Sequence, residues 1–200
     1  MIRPLAFGLT ALLMLTLAPP AAIAFDPAQT YHQGAFVISP EASYGHQFNL
    51  EDKRVFSDIE FANGGVRLGW LPLAPVGPGP LHGSFEVGLE PVYQRYFEPN
   101  DAFFAGLGLT LRYHFLSLGR FVPYVEGAGF AGGTDLRVTE IDSDFTFMLW
   151  AGAGAAVFVT DRTALYAGYR WTHVSNGNTK TPNRGFEANT GVVGVSFFFE

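Results

Sequence analysis

Past residue 35 the chain alternates between apolar and polar positions with a period of two. In Leu107-Gly108-Leu109-Thr110-Leu111-Arg112-Tyr113-His114-Phe115 one face is Leu, Leu, Leu, Tyr, Phe. The other is Gly, Thr, Arg, His. In Phe85-Glu86-Val87-Gly88-Leu89-Glu90 one face is apolar and the other carries two Glu. Near the C-terminus Val193, Val195, Phe197 and Phe199 alternate with Gly194 and Ser196. Such alternation is the signature of strands whose two faces meet different environments. It predicts eight of them, over 36–46, 63–72, 83–96, 102–115, 121–131, 145–159, 163–175 and 186–199. Most exceed the usual strand of about 5 or 6 residues and reach the length of a tilted membrane strand.

Which face is apolar outside decides between two barrels. A soluble lipocalin-like barrel keeps apolar residues inside and needs a charged exterior. Only 15% of this chain is charged, against a usual share of about 25%. A membrane barrel inverts the pattern. The expected fold is therefore all-β: an eight-stranded antiparallel transmembrane up-and-down β-barrel. Arg67, Glu86, Glu90, Arg112, Glu126 and Arg170 then point inward, where eight strands leave room only for side chains. These charges should pair and fill the lumen without an open pore. The connections 116–120 and 160–162 are short, whereas 47–62, 132–144 and 176–185 are longer and polar. Short turns face the periplasm in such barrels and long loops face outside. The Pro-rich link 72–82 falls at the short-turn end.

Residues 1–24 have a different character. Arg3, an apolar run over 5–18 and Ala22-Ile23-Ala24 compose a secretory signal peptide, leaving 25–200 as the barrel. The run is too short for a spanning helix, which needs about 20 residues. Together these features place the mature chain in a bacterial outer membrane. There is no Cys, which excludes disulfides and thiol catalysis. A net charge of −6 offers no basic footprint for nucleic acid. Gly127-Ala128-Gly129-Phe130-Ala131-Gly132 matches a dinucleotide-binding string, but that motif needs a following helix. Here the glycines are expected to relieve crowding in a tight barrel. His32, His46, His82 and His114 lack the spacing of a zinc site.

The stretch 170–187, RWTHVSNGNTKTPNRGFE, carries the candidate chemistry. Leu165, Ala167, Tyr169 and Trp171 share the lipid-facing parity of their strand, and His173 and Ser175 continue it. On the next strand Glu187 has the outward parity of Val193 and Val195. The hairpin can bring a hydroxyl, a base and a carboxylate together on the outer wall, which is the logic of an activated serine. The plainer reading is a strand that turns polar as it leaves the lipid. That reading suits a non-enzymatic barrel serving adhesion or envelope stability, yet leaves the shared face unexplained. Lys180 and Arg184 sit on the same outer loop, where they could meet phosphates or simply be solvated.

His173-Val174-Ser175-Asn176, followed by Pro182-Asn183-x-Gly185-x-Glu187, resembles the signature of the outer-membrane lipid A 3-O-deacylase family. The resemblance implies an eight-stranded barrel that hydrolyses the ester-linked acyl chain at the 3-position of lipid A. It places the family's catalytic Ser, His and Glu on Ser175, His173 and Glu187. Asn176 and Asn183, with the backbone near Gly177, would then serve the oxyanion. It implies lipid A, as part of lipopolysaccharide in the outer leaflet, as the partner. It calls for no metal and no cofactor, and leaves homo-oligomerisation open. An outer-membrane phospholipase or acyltransferase would use similar groups. One departure is Glu200, which follows Phe199 where outer-membrane barrels commonly end in an aromatic residue.

Overall fold

The computed structural model describes residues 25–48, 50 and 56–200; the expected signal peptide lies outside them. After a single helical turn, α1 (Pro27–Thr30), come eight strands. They are β1 (Phe36–Gln47), β2 (Glu60–Trp70), β3 (Gly83–Glu98), β4 (Ala102–Phe115), β5 (Phe121–Thr134), β6 (Phe145–Phe158), β7 (Thr163–Ser175) and β8 (Phe186–Phe199). Each pairs antiparallel with its neighbours in the chain, and β1 closes on β8. The fold is a closed eight-stranded antiparallel up-and-down barrel.

Three strands, β4, β7 and β8, keep the bounds that the alternation predicts. Elsewhere the ends move for physical reasons. β2 starts at Glu60, earlier than expected, because Phe61 continues the inward face. It stops at Trp70, since Pro72 has no N–H to give and the Leu71 N–H turns to Ala35 O at 3.0 Å. β5 runs three residues beyond its expected end because Gly132, Gly133 and Thr134 stay paired with β4. The glycine string at 127–132 lies inside that strand, with no helix after it.

The lumen is built in three layers. At mid-depth lie all six expected inward charges, together with Glu41 and His114. Arg67 Nη2 donates to Glu41 Oε2 at 2.7 Å, and Arg112 Nη2 and Arg170 Nε donate to Glu126 at 2.8 Å each. Arg170 also bonds Glu41 and stacks over Trp150, 4.1 Å from its ring centroid. The charges pair as expected, and aromatic layers add to them at both ends. Toward the loop end Phe61, Phe104, Phe130, Trp150 and Phe186 pack together. Gly108 admits one of these rings: a Cβ there would stand 2.3 Å from Phe130 Cδ1. Toward the turn end Tyr124, Phe158, Tyr166 and Phe198 pack with Tyr31. Tyr31 comes from the segment after α1, with its hydroxyl 3.3 Å from His114 Nδ1. Thr30 Oγ1 donates to Asp161 O at 2.7 Å, fixing this N-terminal plug to the β6–β7 turn.

The outside is the inverse. Leu68, Leu89, Leu107, Leu109, Leu111, Leu165 and Val193 are all exposed on the barrel wall. Strands of 11 to 16 residues carry this belt, enough to cross about 30 Å of hydrocarbon when tilted. Closure satisfies the backbone polar groups within the sheet, so no edge meets lipid.

Candidate active site

The β7–β8 hairpin places the sequence-identified residues at the loop end of the outer wall. In its register His173 stands opposite Glu187, and Trp171 opposite Asn189. On the other side β6 sets Leu149 opposite His173 and Phe147 opposite Ser175. Period two keeps Trp171, His173 and Ser175 on one face, all half-buried, while Thr172 and Val174 turn into the barrel.

His173 Nδ1 lies 3.0 Å from Glu187 Oε1. A carboxylate at that distance selects the tautomer with hydrogen on Nδ1, so Nε2 keeps its lone pair. The Leu50 N–H donates to Glu187 Oε2 at 3.2 Å and the Phe48 N–H to Glu187 O at 2.9 Å. Both carboxylate oxygens are therefore held, and the side chain is only 17% exposed. The indole of Trp171 stacks on the imidazole with centroids 6.0 Å apart and planes 18° apart. Gly185 closes the other side. Its φ of +70° is a left-handed conformation that suits glycine, and a Cβ there would stand 3.0 Å from His173 Cε1. The structure thus brings His173 and Glu187 into contact. Ser175 is set beside them on the same face, and among the described residues its hydroxyl has no hydrogen-bonded partner.

The loop after Ser175 is braced from within. Asn176 is fully buried: its N–H donates to Asn183 Oδ1 at 2.7 Å, and its Nδ2 donates to Lys180 O at 2.8 Å and Pro182 O at 3.3 Å. Its donors are committed to the loop. Asn183 Nδ2 gives one hydrogen to Asn178 Oδ1 at 2.9 Å and retains a second. Gly177 follows with φ +63°, and the ring of Phe147 lies against it. Lys180 Nζ is 3.3 Å from Asp142 Oδ1, an exposed pair, and Arg184 is exposed on the same loop. Among the described residues no group of three or more His, Cys, Asp or Glu is arranged to hold a metal ion.

Sequence reasoning missed an apolar trough beside the site. Leu89, Leu107, Leu109, Gly129, Phe147 and Leu149 line it across β3 to β6 on the lipid-facing wall. Leu149 and Phe147 are its border with His173 and Ser175. Gly129 contributes floor without side chain, since a Cβ there would meet Leu149 Cδ2 at 3.2 Å. The outward run of small residues in 127–133 was the available signal.

The model of the lipid A 3-O-deacylase (PagL) family matches residues 64–196 of the chain. The chain belongs to that family. The match spans β3 to β7 whole and includes every candidate site residue. Among solved structures, the outer membrane enzyme PagL superposes with a TM-score of 0.62 at 17% identity, covering 78% of this chain and 97% of that one. Neisserial surface protein A follows at 0.56 and 18%, covering 84% and 100%. The outer membrane protein OprG from Pseudomonas aeruginosa gives 0.51 and 12%, covering 86% and 99%. At these identities the structural likeness speaks for the fold. No curated protein sequence matches the chain. With its apolar belt and its family, the lipid A deacylases, this barrel is a protein of the bacterial outer membrane.

Proposed function

We propose that the chain hydrolyses the ester that joins the 3-linked acyl chain to lipid A, with Ser175 as nucleophile, His173 as base and Glu187 as the orienting carboxylate. The observation that carries this reading is the 3.0 Å contact between His173 Nδ1 and Glu187 Oε1 on the lipid-facing wall, with Ser175 next on the same face. Same-face neighbours on a strand are about 6.5–7 Å apart at Cα, a span that an imidazole and a hydroxymethyl group bridge.

Ser175 Oγ attacks the acyl carbonyl while its proton passes to His173 Nε2. Glu187 holds the ring and stabilises the imidazolium that forms. The tetrahedral intermediate collapses when the imidazolium gives its proton to the departing sugar oxygen. Water, activated by the same imidazole, then attacks the acyl-serine and frees the fatty acid and Ser175. The Gly177 N–H and the remaining Asn183 Nδ2 hydrogen are the donors for the oxyanion. One such donor contributes about 3–4 kcal/mol. Asn176, its donors spent within the loop, braces that arrangement. The acyl chain lies in the trough beside Phe147 and Leu149, which are as apolar as the lipid it leaves. Lys180 and Arg184 stand at headgroup level, where phosphates are recognised. An outward-facing site suits a substrate that is itself a membrane lipid. No metal or cofactor enters these steps.

The test is Ser175→Ala, purified and refolded in detergent, with mass spectrometry of lipid A after incubation. Release of the 3-linked chain should fall by about 10⁴- to 10⁶-fold, as when other serine triads lose their nucleophile. The heat-resistant folded band on a gel should persist. A folded variant that deacylates at the wild-type rate refutes the mechanism.

A further inference from the structure

We propose that Glu140, in the β5–β6 loop, is a positioning residue that holds both flanks of the hydrolytic site in register; the proposal rests on the function proposed above. Glu140 is fully buried although it sits in a connection between strands. A carboxylate is removed from water at large cost unless donors surround it. Here they do. Gln47 Nε2 donates to Oε1 at 2.7 Å, the Ser57 N–H to Oε1 at 2.9 Å, and Ser57 Oγ to Oε2 at 2.6 Å.

These donors belong to the end of β1 and the approach to β2, far away in sequence. Gln47 is fixed in turn, because its Oε1 accepts the Ile59 N–H at 2.9 Å. The residues immediately after Gln47 are those whose N–H groups hold Glu187: Phe48 to its carbonyl and Leu50 to its carboxylate. The side chain of Glu140 thus anchors the chain that grips the orienting acid.

Its main chain reaches the other flank. Glu140 O accepts the Arg184 N–H at 2.9 Å, and the next residue, Ile141, bridges to Asn183. Asn183 Oδ1 receives the N–H of Asn176, the neighbour of Ser175. One residue therefore touches, through a single intermediary on each side, the support of Glu187 and the support of the oxyanion loop. It meets no reacting atom itself. Its removal should misplace the groups that do, and a displacement of about 1 Å costs on the order of 10²-fold in rate.

The experiment compares wild type, Glu140→Ala, Glu140→Gln, Ser57→Ala and Ser175→Ala, each as the full barrel in detergent with purified lipid A. Glu140→Ala should lower kcat about 10- to 100-fold with KM within about threefold, and keep the heat-resistant band. Glu140→Gln, which retains an acceptor, should recover most of that loss. Ser57→Ala removes one arm and should fall between. A kcat within about threefold of wild type in Glu140→Ala overturns the proposal, as does a loss confined to KM or one that follows only the folded fraction. Should Glu140→Ala fail to fold, Ser57→Ala decides it: a kcat within about threefold of wild type in that variant overturns the role. Wild-type activity in a folded Ser175→Ala refutes the underlying mechanism instead, whereas a Ser175→Ala reduced by about 10⁴-fold or more beside a fully active Glu140→Ala refutes only the positioning role.

Discussion

Gly185→Ala should damage catalysis without damaging the barrel. Two costs can be separated. At φ +70° an added Cβ meets the left-handed penalty, about 1–2 kcal/mol per residue. The same Cβ would stand 2.9 Å from Val174 O and 3.0 Å from His173 Cε1, with His173 Nε2 at 3.5 Å. The first of these is backbone within the sheet and resists movement. The imidazole, held by Glu187 and stacked by Trp171, must give way by a few tenths of an ångström. A displacement of about 1 Å is worth on the order of 10²-fold, so this shift should lower kcat about 5- to 10-fold. Gly119→Ala isolates the backbone cost. Gly119 has φ +63° with nothing within 4 Å of its would-be Cβ, and lies in the β4–β5 turn at the opposite end. Gly185→Ala should lose at least as much stability as Gly119→Ala in urea unfolding, since its Cβ also meets Val174 O, and only Gly185→Ala should lose kcat in a lipid A deacylation assay. Equal kcat in the two variants would refute the claim that Gly185 makes room for the base.

Glu187→Ala should retain the folded band and lose about 10²-fold less turnover than Ser175→Ala or His173→Ala, because an orienting acid assists the base without reacting; full activity would remove it from the site. Arg170→Ala removes one of the two guanidinium groups that Glu41 and Glu126 share, leaving them Arg67, and should cost about 3 kcal/mol in urea unfolding from vesicles, a loss below about 1 kcal/mol contradicting the assignment. In planar bilayers the barrel should show no steady conductance, since aromatic layers close both ends of the lumen; porin-like steps would contradict that packing.

The barrel was legible because its signal is local and repeated. Alternation in segments such as 107–115 states which side chains face out, and closure follows from the absence of any other way to satisfy the strands in lipid. The outward placement of His173, Ser175 and Glu187 was legible for the same reason, since parity on β7 and β8 is read directly from spacing; their chemistry is the proposal above. What escaped depends on contacts across the barrel. Tyr31 reads as an unremarkable residue ahead of the first strand, and only the closed end reveals that it plugs the lumen against Phe158 and Phe198. Glu41 shares the inward parity of Val37 and Ser39, yet its partners Arg67 and Arg170 lie on β2 and β7. Glu140 is one acid among several in a polar loop, and nothing near it in sequence marks it as the buried one. Asn176 shows the limit of motif reading. Its place in the string suggests a donor to the oxyanion, whereas its hydrogen bonds commit it to the loop.

On the proposed mechanism the reaction takes place at a wall, as opposed to a mouth, and that changes what concentration means for this protein. With His173 and Ser175 facing sideways at the edge of the apolar belt, the proposed lipid A substrate arrives by lateral diffusion within the leaflet and never leaves it to be bound. The governing variable is then the mole fraction of lipid A around the barrel. Adding inert detergent at constant lipid A and constant protein thins the two-dimensional neighbourhood and slows turnover, although no bulk concentration has changed. Conversely, crowding the leaflet with lipid A saturates the site at any sample volume, and the product fatty acid, sharing the same plane, competes until it diffuses away.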